Sequence, residues 1–318
     1  LFLMKIFILS YYFPPFNNSC SNLIFDLSKK LADLGHEVSV ITTSHKINSS
    51  VNINSKNGIN VVTIKSGKID GENYFSRGIN EFFLSWKIWK YGKVFFKNNK
   101  CDLLIWYSPT IFLGPIVNKL KRMNGSETYL ILRDIFPQWA IDTGILKNKI
   151  LIRFFKIFEN YQYKQADTIG VQSKKNLDYF NNNKIKCNLE VLYNWTFINK
   201  SKIIKKKNSE VNLIYGGKIG FAQQLENFVV LAEKLVKFEN VKIILIGSGY
   251  ESKNLNNMIS EKKLKNIIIL DEVNPIDYEK ILSKCQIGII SLNAKFKTPN
   301  IPGKLMTYGN YRLPVLAS

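Results

Sequence analysis

Two glycine-rich turns in the second half of the sequence carry the clearest chemistry. Residues 216–220 (GGKIG) follow an apolar run at 212–215, and residues 247–249 (GSG) follow another apolar run at 241–246. A glycine loop that leads into a helix exposes backbone N–H groups to an anion, and the lysine of the first loop adds a mobile positive charge. Both turns end strands of one predicted sheet, which favours a ligand at the carboxyl ends of those strands. A tight turn that merely requires glycine is the alternative interpretation of each loop.

Two further segments place charged residues directly after or before apolar runs. Pro302 is predicted near the start of a helix, with Gly303 and Lys304 facing the same strand-end crevice as the glycine turns. The alternative is that Pro302 and Gly303 only shape the loop and bind no ligand. In the first half of the chain, Arg133 and Asp134 follow a predicted strand. This pair is either a buried brace for its loop or part of a catalytic site, and residue types alone leave both open.

The elements that must position these residues alternate between strands and helices. Residues 4–43 have the pattern of a strand, a helix ended by Gly35, and a second strand, which is typical of a parallel sheet. In the first half, further strands are predicted at 61–64, 103–107, 128–132, 168–172 and 189–192, and helices at 80–97 and 149–165. A polar and basic stretch at 199–210 predicts a linker.

A second alternating series begins directly after that stretch. Its predicted strands are 212–215, 241–246, 267–270 and 287–291, and its predicted helices are 227–238 and 255–263. The sequence therefore predicts an α/β protein with two Rossmann-like domains, residues 4–198 and residues 211–318. The second domain is expected to be incomplete, because the strand pattern at 313–318 normally leads into another helix.

Composition and charge limit the classes of protein that remain. The chain has 318 residues, of which 46% are hydrophobic, and a formal net charge of +21. This hydrophobic fraction allows a buried core, so disordered and collagen-like classes are excluded. The positive charge favours anionic partners such as phosphorylated metabolites, nucleic acid or an anionic membrane surface. The four cysteines form no C-x-x-C pair and there are only two histidines, so no metal site built from them is expected.

Two segments combine aromatic and basic residues at helical spacing, residues 82–91 (FFLSWKIWKY) and 150–158 (ILIRFFKIF). Basic amphipathic helices with Trp and Phe can lie in a membrane interface. The alternative is a core helix whose lysines extend their charged ends into water. The sequence shows no zinc finger, aromatic RNA-binding signature or recognition helix, so a nucleic-acid partner is not expected.

Together these segments resemble the bacterial glycosyltransferases of the two-Rossmann-domain GT-B type, family 4. The likeness is greatest to the O-antigen and capsule enzymes that handle N-acetylated amino sugars. The matching stretches run in order over nearly the whole chain: 11–15 (YYFPP), 34–38 (LGHEV), 133–137 (RDIFP), 193–195 (YNW), 216–223 (GGKIGFAQ), 246–249 (IGSG), and 301–304 (IPGK) through 313–315 (LPV).

The resemblance implies a retaining, metal-independent transfer of a sugar from a nucleotide-diphosphate donor, expected to be UDP-linked. The acceptor would be a lipid-linked or lipopolysaccharide or capsule glycan, at the cytoplasmic face of the cell membrane. The resemblance places the donor in the second domain, at Gly217, Lys218, Gly220, Gln223, Gly247, Gly249, Val273, Pro302, Gly303, Lys304 and Thr307. It places the acceptor in the first domain, at Tyr12, Asn17, Asn18 and Ser19, with Arg133 and Asp134 as the catalytic pair.

Three positions depart from the pattern of many relatives. Thr307 and Pro299 stand where a Glu-x7-Glu pair is common, Arg133 replaces a histidine, and Asn17-Asn18 replaces a glycine pair. These departures bear on the sugar more than on the reaction. Two other functions stay open: a sugar-nucleotide epimerase of the same fold, and a non-catalytic basic protein that binds membranes or nucleic acid.

Overall fold

The computed structural model describes residues 3–16, 18–69, 74–197, 210–295 and 301–318. They form two compact α/β units, one ending at Asn194 and the other beginning at Trp195. Apart from Glu210, the linker predicted at 199–210 lies outside the described residues. Within the described residues, no helix combines the length and the apolar character that crossing a membrane requires.

The first unit is built on a sheet with strand order β3-β4-β2-β1-β5-β6-β7-β8, in which only the β3–β4 pair is antiparallel. Its strands are β1 (Lys5–Leu9), β2 (Glu37–Ser44), β3 (Val51–Lys56), β4 (Ile59–Lys65), β5 (Leu103–Ser108), β6 (Glu127–Leu132), β7 (Thr168–Val171) and β8 (Leu189–Val191). Its helices are α1 (Ser19–Asp33), α2 (Tyr74–Phe82), α3 (Leu84–Asn98), α4 (Gly114–Asn124), α5 (Gln138–Asp142), α6 (Lys149–Gln165) and α7 (Lys174–Asn182).

The strand–helix–strand unit predicted at the start of the chain is confirmed. Within the sheet β1 lies between β2 and β5. Its last four residues are all buried, and because successive side chains of a strand point to opposite faces, both faces of β1 are covered, as its continuous apolar run predicts. The Asn18 side chain caps α1 by accepting a hydrogen bond from the Ser21 backbone N–H at 2.8 Å. Gly35 follows the helix with a φ of 93°, a conformation that favours glycine.

Two features of the first unit differ from the sequence prediction. The helix predicted at 80–97 is divided at Phe83 into α2 and α3. Phe82 packs against rings of α6, whereas Leu84 is fully buried in the core. The break therefore lies between a residue that packs on α6 and a residue that lies in the core.

The second difference is the hairpin formed by β3 and β4, of which only β4 was predicted. Its turn is Asn57-Gly58, with φ values of 56° and 76°. An Asn-Gly pair with positive φ at both positions is a strong hairpin signal. In β3 only Val51 and Ile53 are apolar, and five of its six residues are exposed, so its hydrophobic pattern is too short to predict a strand with a buried face.

The second unit is built on a fully parallel sheet with strand order β11-β10-β9-β12-β13. Its strands are β9 (Val211–Gly216), β10 (Val241–Ile246), β11 (Ile267–Leu270), β12 (Ile287–Ile290) and β13 (Val315–Ala317). Its helices are α8 (Glu226–Leu235), α9 (Ser252–Glu261), α10 (Pro275–Leu282) and α11 (Lys304–Asn310). The buried Tyr308 hydroxyl donates to the carbonyls of Ile214 and Ile289 and so fixes α11 against β9 and β12.

Candidate functional site

The two predicted glycine turns of the second unit lie directly against each other. The Gly217 N–H donates to the Ile246 carbonyl at 2.8 Å, and the Ile219 N–H donates to the Ser248 carbonyl at 2.9 Å. A Cβ at Gly247 would lie 1.9 Å from the Gly217 carbonyl oxygen, and Gly247 also has a φ of 147°. The close approach of two backbones therefore requires glycine here, and it builds one continuous edge from both turns.

Lys304, the first residue of α11, brings a positive charge to this edge. Its Nζ lies 4.6 Å from the centre of the Tyr215 ring and would lie 3.0 Å from a Cβ at Gly217. The residue as a whole is half-buried, and burial of its ammonium group lowers the pKa of Lys304 to about 8. Among the described residues no carboxylate forms an ion pair with it. A buried cation held in this way is stabilised by an incoming anion.

The remaining residues of the first glycine loop differ in exposure. Lys218 has an exposed side chain, and its carbonyl accepts a hydrogen bond from the Tyr215 hydroxyl at 2.6 Å. Gly220 is buried and precedes a 3-10 turn that ends at Gln223, whose Oε1 would lie 3.6 Å from a Cβ at Gly220. The loop thus leads first into this turn and only afterwards into α8.

The other predicted donor-side residues lie on neighbouring segments of the same unit. A Cβ at Gly249 would lie 1.9 Å from the Ile219 carbonyl oxygen, so Gly249 belongs to the paired turns. Val273 follows β11 and packs against the cluster that includes Tyr308. Pro302 and Gly303 immediately precede α11, which begins two residues after Pro302, and Thr307 is half-buried within that helix.

Arg133 and Asp134 follow β6 in the first unit and are held by different interactions. The Arg133 guanidinium donates to the Leu192 carbonyl at 2.8 Å, and the Gln172 amide donates to the Arg133 carbonyl at 2.6 Å. These bonds connect the ends of β6, β7 and β8, so Arg133 acts as a brace in this structure. Burial raises the pKa of Asp134, and the positive charges of Arg133 and Arg77 oppose that increase.

Several residues around Asp134 were not predicted from the sequence. Arg77 and Glu81 form an ion pair at 2.7 Å on α2, and Glu81 is buried. Cys20 lies near Ser10 and Tyr107, and burial raises the pKa of its thiol to about 12, so it is protonated at neutral pH. The four-residue spacing of Arg77 and Glu81 is a signal that the sequence does contain. The position of Cys20 beside β5 depends on the fold.

The predicted acceptor loop is described only in part. The half-buried Tyr12 ring lies 4.2 Å from the Tyr11 ring and 5.5 Å from the Phe16 ring. Asn18 is used as the cap of α1, and Ser19 is the exposed first residue of that helix. Asn17 lies outside the described residues.

An exposed aromatic surface occupies the junction of α2, α3 and α6. Phe82, Phe83, Trp86 and Phe154 are between 37% and 55% exposed, and Phe82 and Phe154 lie 6.0 Å apart. The Lys90 ammonium lies 4.7 Å from the Trp86 ring. These four rings with Lys90 are called the aromatic surface below.

Three residues expected on the same surface are directed elsewhere. Trp89 packs against the core beside Phe96, with the Lys119 ammonium 3.9 Å from its ring. Phe155 packs on Phe136, and Lys156 pairs with the fully buried Glu159 at 2.9 Å. Lys156 is therefore part of an internal network and does not add to the exposed charge.

Comparison with known proteins identifies the fold. No protein-family model matches the sequence, and no curated protein matches it significantly. The solved structures give a different result. The sucrose-phosphate synthase of Thermosynechococcus elongatus is similar to this chain with a TM-score of 0.72 and 13% identity, over 98% of this chain and 80% of that one. The chain has the fold of the GT-B glycosyltransferases.

Two further structures extend this comparison. HepE of Anabaena, solved in complex with UDP, matches with a TM-score of 0.64 and 14% identity, over 99% of this chain and 80% of that one. WaaG, a glycosyltransferase involved in lipopolysaccharide biosynthesis, matches with a TM-score of 0.63 and 12% identity, over 98% of this chain and 80% of that one. At these identities the comparison establishes the fold alone.

Proposed function

We propose that this chain is a retaining glycosyltransferase that takes a sugar from a UDP-linked donor, with the donor in the second unit and the acceptor in the first. The observation that carries the proposal is Lys304, a half-buried lysine at the paired glycine turns with no carboxylate partner among the described residues. A diphosphate would supply the missing negative charge. HepE, which has the same fold, was solved with UDP and also with UDP-glucose, which supports the choice of nucleotide.

The geometry suggests how the leaving group would be stabilised. When the bond between the anomeric carbon and the phosphate oxygen breaks, negative charge develops on the nucleoside diphosphate. Lys304 lies against the first glycine turn, the exposed Lys218 belongs to that turn, and both can stabilise the charge. Neither lysine needs a bound metal ion in order to stabilise the charge of the leaving group. Among the described residues no three His, Cys, Asp or Glu side chains are grouped as a metal site would need.

The proton of the acceptor also needs a destination. In a retaining front-face transfer, the acceptor hydroxyl attacks from the side that the phosphate leaves, so the leaving phosphate oxygen can take the proton. A new bond from the anomeric carbon to the acceptor oxygen replaces the broken one, and no strong protein base is required. Asp134 and Arg133 would then orient the acceptor, and Arg133 would do so by bracing the loop that carries Asp134.

We further infer that the acceptor is presented at a membrane surface. The aromatic surface offers exposed rings beside Lys87, Lys90 and Arg153, a combination that suits an anionic lipid interface. This arrangement fits a lipid-linked or lipopolysaccharide or capsule glycan, and a peripheral location on the inner face of the cell membrane. An N-acetylated amino sugar is our proposal for the transferred group, on the strength of the sequence resemblance.

Product analysis tests the proposed reaction against its closest rival. The chain is incubated with UDP-N-acetylglucosamine or UDP-glucose and an oligosaccharide acceptor, and the sugar products are separated. Transfer releases UDP and lengthens the acceptor by one sugar. An epimerase changes the donor sugar and leaves the acceptor unextended. Salt-dependent DNA binding without any affinity for UDP would instead favour a non-catalytic basic protein.

A further inference from the structure

Tyr215 brings a hydroxyl to the end of a buried apolar strand. It lies in β9, is fully buried and packs in the same core cluster as Leu213. A phenylalanine would fill much the same space without a hydroxyl that has to be hydrogen bonded. The Tyr215 hydroxyl donates to the Lys218 carbonyl at 2.6 Å, so its partner belongs to the first glycine turn. The hydroxyl therefore acts on the turn at which the donor is proposed to bind.

This hydrogen bond completes the fixation of one peptide group in the turn. The peptide group that joins Lys218 to Ile219 carries the Lys218 carbonyl and the Ile219 N–H. The carbonyl accepts from Tyr215, and the N–H donates to the Ser248 carbonyl at 2.9 Å. Because a peptide group is planar, bonds at both of its polar atoms fix its orientation. The Tyr215 hydroxyl thus helps to set the direction of the whole turn.

The peptide groups on either side of this one carry the N–H groups of Lys218 and Gly220. Neither N–H donates to an acceptor among the described residues. Successive backbone N–H groups in a turn can bind an anion together. Their directions depend on the fixed peptide group between them. The Tyr215 hydroxyl is therefore one step removed from the groups that would contact a phosphate.

The ring of the same tyrosine holds the Lys304 ammonium. The ammonium lies 4.6 Å from the ring centre, within the range of a cation–π contact. A Cβ at Gly217 would lie 3.0 Å from this ammonium and 3.9 Å from the Tyr215 hydroxyl oxygen. The hydroxyl anchors the turn and the ring face carries the cation, so one rigid side chain sets the separation of the two.

The ionisable groups around Tyr215 leave Lys304 as the titrating group at neutral and mildly basic pH. Burial lowers the pKa of Lys304 to about 8. Tyr278 of α10 and Tyr308 of α11 both interact with Tyr215, and burial raises the pKa of all three tyrosines, that of Tyr278 to about 12. The tyrosines therefore stay uncharged at pH 8.5, where Lys304 is partly neutral.

We infer that Tyr215 is a positioning residue of the donor site, which holds the first glycine turn and the Lys304 ammonium at a separation that suits the two phosphates of a diphosphate. Groups that are already in place lose less freedom when a ligand binds. A nucleoside monophosphate has a single phosphate and cannot use both anchors equally. The inference rests on the proposed function, since it concerns the donor of that reaction.

Tyr215→Phe tests the inference because it removes the hydroxyl and keeps the ring. Calorimetric titration measures the binding of UDP and UMP, and urea unfolding checks that the variant is folded. We expect UDP to bind about twofold to tenfold more weakly, the effect of one neutral hydrogen bond, and UMP to lose less. Proton uptake on UDP binding at pH 8.5 should equal that of the parent, because the ring still carries the Lys304 ammonium.

A double-mutant cycle separates positioning from a general structural effect. In the Lys304→Met background the turn has no ammonium to act with, so Tyr215→Phe should weaken UDP binding less than it does in the parent. Tyr163→Phe is the matched control. Tyr163 is buried in the first unit, and its hydroxyl donates to Glu159 at 3.2 Å. Loss of that buried hydroxyl should leave UDP affinity unchanged.

Four results would overturn the role of Tyr215. They are unchanged UDP affinity in Tyr215→Phe, an equal loss of UDP and UMP affinity, additive effects of Tyr215→Phe and Lys304→Met, and loss of the proton uptake in Tyr215→Phe. A parent protein that binds no UDP would refute the proposed donor and this inference together. A parent that binds UDP, with Tyr215→Phe binding it equally well, would refute the role of Tyr215 alone.

Discussion

Replacement of Lys304 by methionine tests the proposed donor site most directly. The change removes the ammonium group beside the Tyr215 ring and Gly217 but keeps an unbranched side chain of similar reach. If Lys304 donates a charge-assisted hydrogen bond to a phosphate oxygen, the variant loses about 1–3 kcal/mol of UDP binding free energy at pH 7. That loss corresponds to about a fivefold to 150-fold weaker dissociation constant.

The pH dependence of UDP binding gives a sharper signature. Burial lowers the pKa of Lys304 to about 8, and a bound diphosphate favours the charged form, so binding must take up a proton wherever the free lysine is partly neutral. A pKa of about 8 gives an uptake of about 0.1 proton at pH 7 and about 0.75 proton at pH 8.5. UDP affinity should therefore fall as the pH rises above about 8.

Calorimetric titration in buffers of different ionisation enthalpy measures this uptake. The terminal phosphate of UDP loses its last proton near pH 6, so it contributes little at pH 8.5. Lys218→Met is the matched control, because its side chain is exposed on the same turn. It should weaken UDP binding and leave the proton uptake in place. Zero uptake by the parent at pH 8.5, or equal uptake by Lys304→Met, would refute this account of the site.

The same lysine makes the stability of the protein depend on pH. Its pKa is lower in the folded protein, about 8, than in the unfolded chain, so the unfolded state binds more protons between these values. The free energy of unfolding should rise with pH across that window. Lys304→Met should stabilise the ligand-free protein at pH 7 by at most about 3 kcal/mol. The gain in stability should be smaller than this limit, because the side chain keeps some exposure to solvent. Denaturant unfolding at pH 7 and at about pH 11, which is above the ordinary pKa of a lysine, measures the difference, which should disappear at the higher pH.

Three other predictions concern the backbone, the metal and the membrane. Gly247→Ala should destabilise the second unit by about 1–3 kcal/mol in urea unfolding and weaken UDP binding, because its Cβ would overlap the Gly217 carbonyl. Gly309→Ala is the control, since a Cβ at Gly309 would meet open space and should not destabilise the unit. Excess EDTA should leave sugar transfer intact, since lysines supply the charge that stabilises the leaving group, and a complete loss restored by Mn²⁺ or Mg²⁺ would contradict this. The triple variant Trp86→Ala, Lys87→Glu and Lys90→Glu should lose most of its binding to anionic vesicles and keep its binding to UDP. If the variant binds vesicles as well as the parent does, the aromatic surface is not a lipid contact.

The repeated pattern of buried strand and helix was enough to predict most of the fold. The strands at 241–246 and 267–270 and the helix at 149–165 have the predicted bounds, because each consists of a continuous apolar run or a clear helical period. The break at Phe83 was not predicted, since the helical apolar pattern continues through it and the contacts of α2 with α6 are visible only in the fold. The hairpin before β4 could have been found from Asn57-Gly58, a local signal that hydrophobic pattern does not register.

The candidate sites also contain features that the sequence could predict and features that it could not. Glycine turns at strand ends are visible in sequence because the requirement for glycine is local, and both turns lie where they were predicted within the second unit. Sequence could not distinguish the two interpretations of Arg133, because the bonds that make it a brace involve Gln172, directly after β7, and Leu192, directly after β8. The sequence pattern predicts that Lys156 and Trp89 lie on the surface. In the structure Lys156 forms an ion pair with the buried Glu159, and Trp89 packs beside the buried Phe96.

Lys304 shows why burial must be known before a lysine can be assigned a role. The chain contains 45 Lys and Arg residues, and nothing in the sequence separates Lys304 from exposed lysines such as Lys218. The difference arises because β12 lies beside β9 and the Tyr308 hydroxyl binds a carbonyl of each strand, which holds α11 against the end of β9. That contact places the ammonium of Lys304 over Tyr215 and against Gly217, where no side chain fills the space. The glycine that permits the turn therefore also makes room for the cation, so a side chain at position 217 should displace Lys304 and remove its effect on UDP binding.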